Sequence, residues 1–505
     1  MSNREIVSAL KYVSGSRKAF MLSELRQYLK EEKSTIAIYD TIRPMLEELG
    51  LRAVPEGDDY RIEKLPPATK LVLSDKEKEQ QEAFFNAPRV PRKLERLIEK
   101  YIDKKTAKPW DDPVVLDKIR KAIISQKAQY WKAGQARKID YRSGYSVLGY
   151  LAYQFPVYFV QFEHILYDMA QEGLLKNRMK VLDAGTGPGV VPLAIVDFYR
   201  RLEGDREGDR ARDRSVDVFA IEKYEENLEA YTTLVPEFAS AGGNVQIEKP
   251  FRADLTEKPK IPDGLDMIVF SNVLNEIAMS MDEKAEMVMR YVQSMADDGS
   301  LVIIEPADKD NSMELRKLVA ALMDRDMGVY SPCSFIWCSR CKPESCWSFE
   351  EKEDVVPTSL MKKVAEAEEP YKYINSDIKY SYAILRKDDL TKAKYRVPPK
   401  AKFARLSKLK MHTGKKINVV ASKMSGDLGN KKEHVFKICD GTTGQQVYAI
   451  LPDYNIVPGN EALAKAKYGT VLEFSNIIVR YNEEHDSFNL MVGKSSGVVP
   501  AINNI

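Results

Sequence analysis

Residues 181–189 read VLDAGTGPG: a hydrophobic run into Asp183, glycines at 185, 187 and 189, and then a helix-forming stretch from Val190 to Tyr199. Glycines allow a tight turn and let a ligand approach the backbone. The helix that follows presents free N–H groups at its start. Around this loop, strands and helices alternate from 179 to about 305, which predicts a parallel sheet in an α/β fold. The expected strands are Met179–Leu182, Val216–Ile221, Asn244–Ile247, Leu265–Phe270 and Leu301–Ile304. Tyr380–Leu385 (YSYAIL) reads as a later strand that closes the sheet, and Asp205–Arg214 as a charged surface loop.

Nucleotide-binding Rossmann proteins share such a glycine loop. Two carboxylates sharpen the reading. Glu222 ends the second strand, where it can accept both hydroxyls of a ribose, and Asp254 follows the third, where an adenine amino group would be met. No Lys-Ser/Thr pair follows the glycines, which argues against a P-loop. The set resembles the class I S-adenosylmethionine-dependent methyltransferases. That resemblance implies S-adenosylmethionine as cofactor, held by Asp183, Gly185, Gly187, Gly189, Glu222, Asp254 and Asn272, with Asp183 and Glu222 orienting the methionine and ribose parts. A dinucleotide-binding Rossmann domain, or one that has lost its ligand, is the alternative.

The acceptor side is less complete. After the fourth strand, Phe270–Glu276 reads FSNVLNE. It offers Asn272, Asn275 and Glu276, but lacks the prolines and stacking aromatic found in many enzymes that methylate base amines. Methylation at pyrimidine C5 needs a nucleophilic cysteine near these strands, and no Cys precedes position 333. The sequence thus supplies a cofactor site without a general base or nucleophile.

Four of the five cysteines fall in SPCSFIWCSRCKPESCWSF, residues 331–349, with spacing Cys333-x4-Cys338-x2-Cys341-x4-Cys346. Four thiolates so close in sequence can enclose one tetrahedral metal or one iron–sulfur cluster. In a reducing compartment ligation is favoured over disulfides. Zinc knuckles use two close Cys pairs, and here only Cys338 and Cys341 are close. Phe335, Trp337, Trp347 and Phe349 would shield a cluster. Cys439, in the run ICDG, is either a buried bystander or a ligand replacing Cys338 or Cys341.

The flanks differ from this centre. Residues 1–65 read helix, helix, turn and strand, the pattern of a winged helix: Leu22, Leu25, Tyr28 and Leu29, then a Ser34/Thr35 cap before Ile38, Ile42, Met45 and Leu46, then Gly50 and a strand at 58–62. A generic helical protein-binding module is the alternative. Residues 66–178 are a polar linker or solvated helix followed by a helical region. In it Arg137–Tyr145 is basic and aromatic, and Leu148–Tyr167 is apolar and expected to pack on the methyltransferase-like domain, 179–390. Residues 391–505 combine a basic segment with five short strand-like runs, which suit a small barrel of the OB type. Lys392–Lys416 contains ten Lys or Arg and no acid, interleaved with Tyr395, Phe403 and His412. That pattern offers phosphate neutralisation and base stacking, with a solvated linker as the plainer reading.

Over the whole chain 77 Lys+Arg nearly balance 75 Asp+Glu, so only their distribution can point to nucleic acid. The longest apolar stretch, Val147–Val160, is interrupted by Gln154 and Pro156 and falls short of the roughly 18 residues of a membrane span. The start, MSNREIVSAL, lacks the apolar core of a signal peptide and carries Glu5. The expectation is a cytoplasmic protein without a membrane partner.

The glycine loop, the Cys-Trp-Ser-Phe ending of the cysteine segment, Tyr380-Ser381-Tyr382, the Cys-Asp-Gly of the barrel and Tyr145–Leu148 before Phe155-Pro156 together resemble the methyltransferase-like family of small-ribosomal-subunit assembly proteins. The resemblance covers about residues 92–450. It implies a 4Fe–4S cluster on four cysteines, binding to immature small-subunit ribosomal RNA, and a role in assembly, in which the fold holds cofactor without turnover. Cys333 and Cys346 match the family's positions best, Cys338 or Cys341 would be the intermediate ligand, and Cys439 matches the downstream one. An active ribosomal RNA methyltransferase is the second reading. A DNA-binding regulator built on the N-terminal module is the third.

Overall fold

The computed structural model describes residues 2–503 except 18, 31–32, 47–48, 58, 65–67, 131–143, 203–213, 241–243, 258, 342, 344 and 368–372. The Arg137–Tyr145 segment up to 143 and the Asp205–Arg214 loop up to 213 therefore lie outside the described residues. Two compact units are present, residues 1–69 and 70–505.

The first unit runs α1 (Ser2–Ser16), β1 (Ala19–Met21), a 3-10 turn (Leu22–Tyr28), α2 (Thr35–Ile42), β2 (Leu51–Glu56) and β3 (Asp59–Lys64). Its antiparallel sheet has the order β1-β3-β2. Ser34 caps α2 by accepting from the Ala37 N–H at 3.2 Å. Ile6, Leu10, Leu25, Ile38, Ile42 and Ile62 form the core. The first expected helix is a tight 3-10 turn, and β1 and β2, too short or too mixed to show alternation, were not anticipated.

The second unit opens with α3 (Asp75–Phe85), α4 (Arg92–Thr106), α5 (Pro113–Tyr130), α6 (Gly144–Tyr153) and α7 (Phe155–Gln171). Of the two readings of the polar run, linker or solvated helix, α3 is a helix, largely exposed but docked along one face. Ser74 and Glu77 form a capping box, Glu77 and Gln81 are buried, and Arg214 pairs with the Glu77 carboxylate. Helix α7 is buried almost all round and packs on the sheet, as its apolar character requires. Among the described residues no helix is long and apolar enough to cross a membrane.

Then follow β4 (Arg178–Ala184), α8 (Val190–Leu202), β5 (Ser215–Glu222), α9 (Glu225–Ala239), β6 (Val245–Ile247), β7 (Phe251–Arg252) and β8 (Leu265–Ser271). After them come α10 (Met281–Val292), β9 (Met295–Pro306), α11 (Lys309–Met323), β10 (Gly328–Ser331), β11 (Glu350–Lys352), α12 (Ser359–Ala365) and β12 (Ile378–Arg386). The sheet order is β10-β12-β9-β8-β4-β5-β6, with β7 on β5 and β11 on β12. Strands β4, β5, β6, β8 and β9 are parallel, and β12 lies antiparallel between β9 and β10. This is the class I methyltransferase sheet. Alternation assigns the two faces: Val181, Met267, Val269, Val302 and Ile304 join one core with α7 and α8, whereas Leu182, Ile268, Phe270, Leu301 and Ile303 join the other with α10 and α11. A sheet buried on both faces explains the near-continuous apolar strands. The cysteine segment leaves the sheet directly from β10 and re-enters at β11, two short strands that the sequence did not reveal.

The C-terminal part contains β13 (Lys416–Lys423), β14 (Glu433–Cys439), β15 (Gln446–Pro452), α13 (Ala462–Lys465), β16 (Val471–Asn482), β17 (Ser487–Met491) and β18 (Gly497–Pro500). Strands run β13-β14-β15-β17-β16, and β16 pairs back to β13 to close a five-stranded barrel, with β15 and β17 parallel. Val419, Phe436, Ala449, Leu451, Phe474 and Leu490 fill it. This closed OB-type topology leaves no edge among the five.

Candidate functional site

Two cavities carry most of the polar chemistry. The first, about 970 Å³, opens beyond the C-terminal ends of β4, β5 and β8, where open α/β sheets bind ligands. Gly185, Gly187, Glu222, Asp254 and Asn272 line it; Asp183 and Gly189 do not. Gly185 has φ +83° and Gly189 φ +97°. A Cβ at Gly185 would stand 2.6 Å from Val273 Cγ2, and one at Gly189 would collide with Val235, so both positions are close-packed. Gly187, by contrast, has nothing within 4 Å of its missing Cβ. It leaves the backbone open to a ligand.

Glu222 is buried beneath the loop. Its Oε2 accepts the Gly187 N–H at 2.9 Å, and Oε1 accepts the N–H groups of Lys223 and Tyr224, each at 2.7 Å. Burial raises its pKa against these hydrogen bonds. Asp183 is 1% exposed with Oδ2 unpartnered. Burial, with the Glu222 charge adding to it, pushes its pKa up to about 7. Asp254 differs. Its Oδ2 meets Lys223 Nζ at 2.5 Å, and its Oδ1 accepts the N–H and hydroxyl of Thr256 at 2.9 Å each. Burial works against ionisation there, but these partners outweigh it and hold the pKa below the usual range.

The floor after β8 contains Ser271, Asn272 and Val273 before a 3-10 turn, Leu274–Glu276. Asn272 has φ +54°. The side-chain oxygens of Asn272 and Asn275 are buried without a hydrogen-bond donor. Glu305, near the end of β9, supports the turn by accepting the Leu274 and Asn275 N–H groups at 3.1 and 3.3 Å. Burial pushes its pKa to about 8, so it holds this turn as a neutral acid at neutral pH. Sequence reading passed over Glu305, although a Glu ending an apolar strand before Pro306 is a visible signal. It also passed over the lining residues Tyr150, Lys223, Tyr224, Asn227 and Thr256.

The second cavity, about 620 Å³, lies between the cysteine segment, α11 and the barrel. Cys333, Cys341, Cys346 and Cys439 line it, with Arg316 and Phe335. Cys338 is exposed and does not. The local sequence cluster is thus split: three of its thiols face inward and the fourth inward thiol comes from the end of β14. Burial and its neighbours Cys333 and Cys346 push the Cys341 thiol up to about 12. Burial likewise raises Cys333 and Cys439. For Cys346 burial acts upward too, but Lys437 and Arg316 outweigh it and lower the pKa. Lys437 Nζ is 3.6 Å from Cys346 Sγ. Among the described residues no three His, Cys, Asp or Glu side chains converge as tightly as a single ion requires. Of the four aromatics expected to shield the site only Phe335 lines the cavity. Trp347 donates to Ala307 O at 2.8 Å and packs on Phe349, and Trp337 carries Arg405 on its ring at 4.6 Å.

The basic segment also differs from its reading. Tyr395 is 4% exposed and donates to Glu473 at 3.3 Å, so it is closed to base stacking. Phe403 packs beside Ile336 and Val420. Leu406 and Leu409 enter the barrel core. The cations remain outside: Lys394, Lys400, Lys402, Arg405, Lys408, Lys410, Lys415 and Lys416 are exposed.

A family model described as "Mitochondrial small ribosomal subunit Rsm22" matches residues 144–443, more than half of the chain. The chain belongs to the Rsm22 family. Two further models, the N- and C-terminal domains of a domain of unknown function (DUF8157), match residues 3–55 and 407–501. The Rsm22 match thus spans the glycine loop, all of the sheet strands and all five cysteines. No curated protein matches the chain. Solved structures similar to it include the [4+2]-cyclase SpnF, at 14% identity over 45% of this chain and 81% of that one, TM-score 0.28. Others are S-adenosylmethionine-dependent methyltransferases from Methanosarcina mazei (12%, 44% and 97%, 0.26) and Corynebacterium glutamicum (TehB-like; 14%, 45% and 87%, 0.23).

Proposed function

We propose that this protein is a small-ribosomal-subunit assembly factor that binds ribosomal RNA. In this reading its methyltransferase fold holds S-adenosylmethionine, and its cysteine cavity holds a 4Fe–4S cluster. Membership of the Rsm22 family supports the ribosomal assignment. The eight exposed cations of the basic segment, beside an OB-type barrel, support RNA contact.

The observation that carries the reading is the origin of the four inward thiols. Cys333, Cys341 and Cys346 belong to the insertion of the sheet, and Cys439 to the barrel. A group bound by all four would tie the RNA-binding part to the methyltransferase fold. Four thiols at one cavity with two cations near them form a donor set that suits a cluster. A cluster carries its irons at separate corners and takes thiolates that stand further apart than those around one ion. When bound it supplies a redox-active, oxygen-sensitive centre.

The crevice fits S-adenosylmethionine. Glu222 would accept from the ribose and Gly187 leaves room at the backbone, while Asp183 lies buried behind the crevice wall. The cofactor supplies an electrophilic methyl group. Of the carboxylates around the crevice, Glu305 is buried under the turn and Asp254 is ion-paired, whereas Glu276 lines it on the acceptor side.

Iron and sulfide per chain in anaerobically purified protein test the cluster. Wild type and Cys338→Ser are expected to be brown with full iron; Cys439→Ser is expected to lose it. A colourless, zinc-loaded wild type would defeat this part.

One observation favours the second reading, an active ribosomal RNA methyltransferase. The buried Asn272 oxygen lacks a donor, and Asn272 lines the crevice on the side where an acceptor amine would enter. A methyl mark lost with Gly185→Arg would establish it.

A further inference from the structure

The cysteine cavity contains more positive charge than the fold explains. Arg316, on α11, is 2% exposed. It donates from Nε to Ser348 Oγ at 2.9 Å and from Nη2 to Ser381 Oγ at 3.2 Å. Its Nη1 is buried with no partner, and the residue lines the cavity. Lys437, on β14, is 4% exposed, and its ammonium has the Cys346 sulfur at 3.6 Å. Among the described residues neither cation is within ion-pair distance of a carboxylate. Lys423 is also buried without an ion pair, but its ammonium donates to the Ala464 and Ala466 carbonyls at 3.1 and 2.9 Å. Lys352 pairs with Glu350 and Asp168, and Arg386 with Asp388.

A buried cation without a counter-charge is strongly disfavoured. Arg316 lines the cavity, and Lys437, outside its lining, reaches the Cys346 sulfur, so both favour an anion at the thiols. Serine hydroxyls fix the guanidinium from behind and contribute no charge. The anion that fits is the one the four cysteines would make: four thiolates around an iron–sulfur core retain net negative charge.

We infer that Arg316 and Lys437 are the charge-compensating residues of the cysteine cavity, holding a thiolate-ligated cluster and setting its reduction potential. The inference rests on the cluster reading above. Neither residue is a ligand. Both are positioning residues, acting through the field they place on the sulfurs, and hydrogen bonds and charge near cluster sulfurs are known levers on potential. Taking up an electron makes the cluster more negative, so nearby cations favour the reduced form. Removing one must lower the midpoint.

The test uses the full chain, reconstituted anaerobically with ferrous iron and sulfide and titrated with dithionite while the visible absorbance is followed. Lys437→Met keeps length and burial and removes the charge; Arg316→Met does the same at the other side, and Arg316→Lys restores charge without the fork. The expected result is a midpoint shifted to lower potential in Lys437→Met and Arg316→Met, a larger shift in the double variant, and a return toward wild type in Arg316→Lys. If Arg316→Met fails to fold, Lys437→Met against Lys437→Arg carries the comparison. Lys437→Met protein that binds wild-type iron and keeps the wild-type midpoint overturns the inference while leaving the cluster reading intact. Wild-type protein that takes up no iron overturns the cluster reading, and the inference falls with it.

Discussion

One methyl group added at Gly185 separates backbone strain from packing at the cofactor loop. Gly185 has φ +83°, and an added Cβ would stand 2.6 Å from Val273 Cγ2 and 3.1 Å from Val273 Cβ. The left-handed backbone costs an L-residue about 1–2 kcal/mol. Forcing a methyl into a filled space costs typically ~1–3 kcal/mol more. Gly185→Ala should therefore lose about 2–5 kcal/mol by these two effects. Gly187 is the internal control: its φ is +56° and nothing lies within 4 Å of the added atom. Gly187→Ala should lose only the backbone cost, about 1–2 kcal/mol. Val273→Ala removes the obstructing methyls, so in the double variant with Gly185→Ala the packing part should be recovered and the backbone part should persist. A coupling of about 1–3 kcal/mol is expected from the double-mutant cycle. Urea unfolding midpoints with an unchanged m-value measure it, and calorimetric titration with S-adenosylmethionine reports the crevice directly. Equal losses for the two glycines, or additive effects of Gly185→Ala and Val273→Ala, would refute the close-packed loop.

Three further outcomes follow from the same structure. Glu305 has its pKa raised from 4.5 to about 8, so between those values the folded chain keeps a proton that the unfolded chain releases. Stability should fall as pH rises through that window, and Glu305→Gln should flatten the slope in denaturant titrations taken from pH 5 to 8; an unchanged slope would place the neutral acid elsewhere. Replacing Lys400, Lys402, Lys408 and Lys410 by Gln should weaken binding to single-stranded ribosomal RNA and reduce the dependence of log K on log salt by up to about three, whereas Tyr395→Phe, at a buried ring, should leave affinity unchanged in filter binding. Oxygen exposure of the iron-loaded chain should bleach it and lower its melting temperature, and Cys338→Ser protein should respond identically.

The parallel sheet was legible because each strand is buried on both faces and reads as an apolar run between helices, as Leu265–Phe270 and Leu301–Ile304 do. The barrel was legible from alternation and turns. Several elements that escaped are too short to show a period: β1 is three residues, β10 is four, and β11 is Glu350-Glu351-Lys352, charged throughout and held by pairing with β12; α1 escaped as well, although Ile6, Ala9, Leu10 and Val13 have helical spacing. The docking of α3 through Glu77 and Gln81 escaped too, because an ion pair with Arg214 is a long-range fact. At the site, Gly185, Glu222 and Asn272 were reached through local pattern. The separation of Cys338 from the other thiols was not, since spacing alone cannot say that residue 338 turns outward while Cys439 arrives from a strand of the barrel. Nor could a basic, aromatic-interleaved segment reveal that Tyr395 faces inward.

The most direct measurement combines immature small subunits, from cells lacking this protein, with anaerobically purified chain and methyl-labelled S-adenosylmethionine, followed by sedimentation. The account predicts that wild-type protein travels with the immature subunits, retains its iron, and leaves the ribosomal RNA unlabelled. Protein that stays at the top of the gradient, with immature and mature subunits alike, would contradict it.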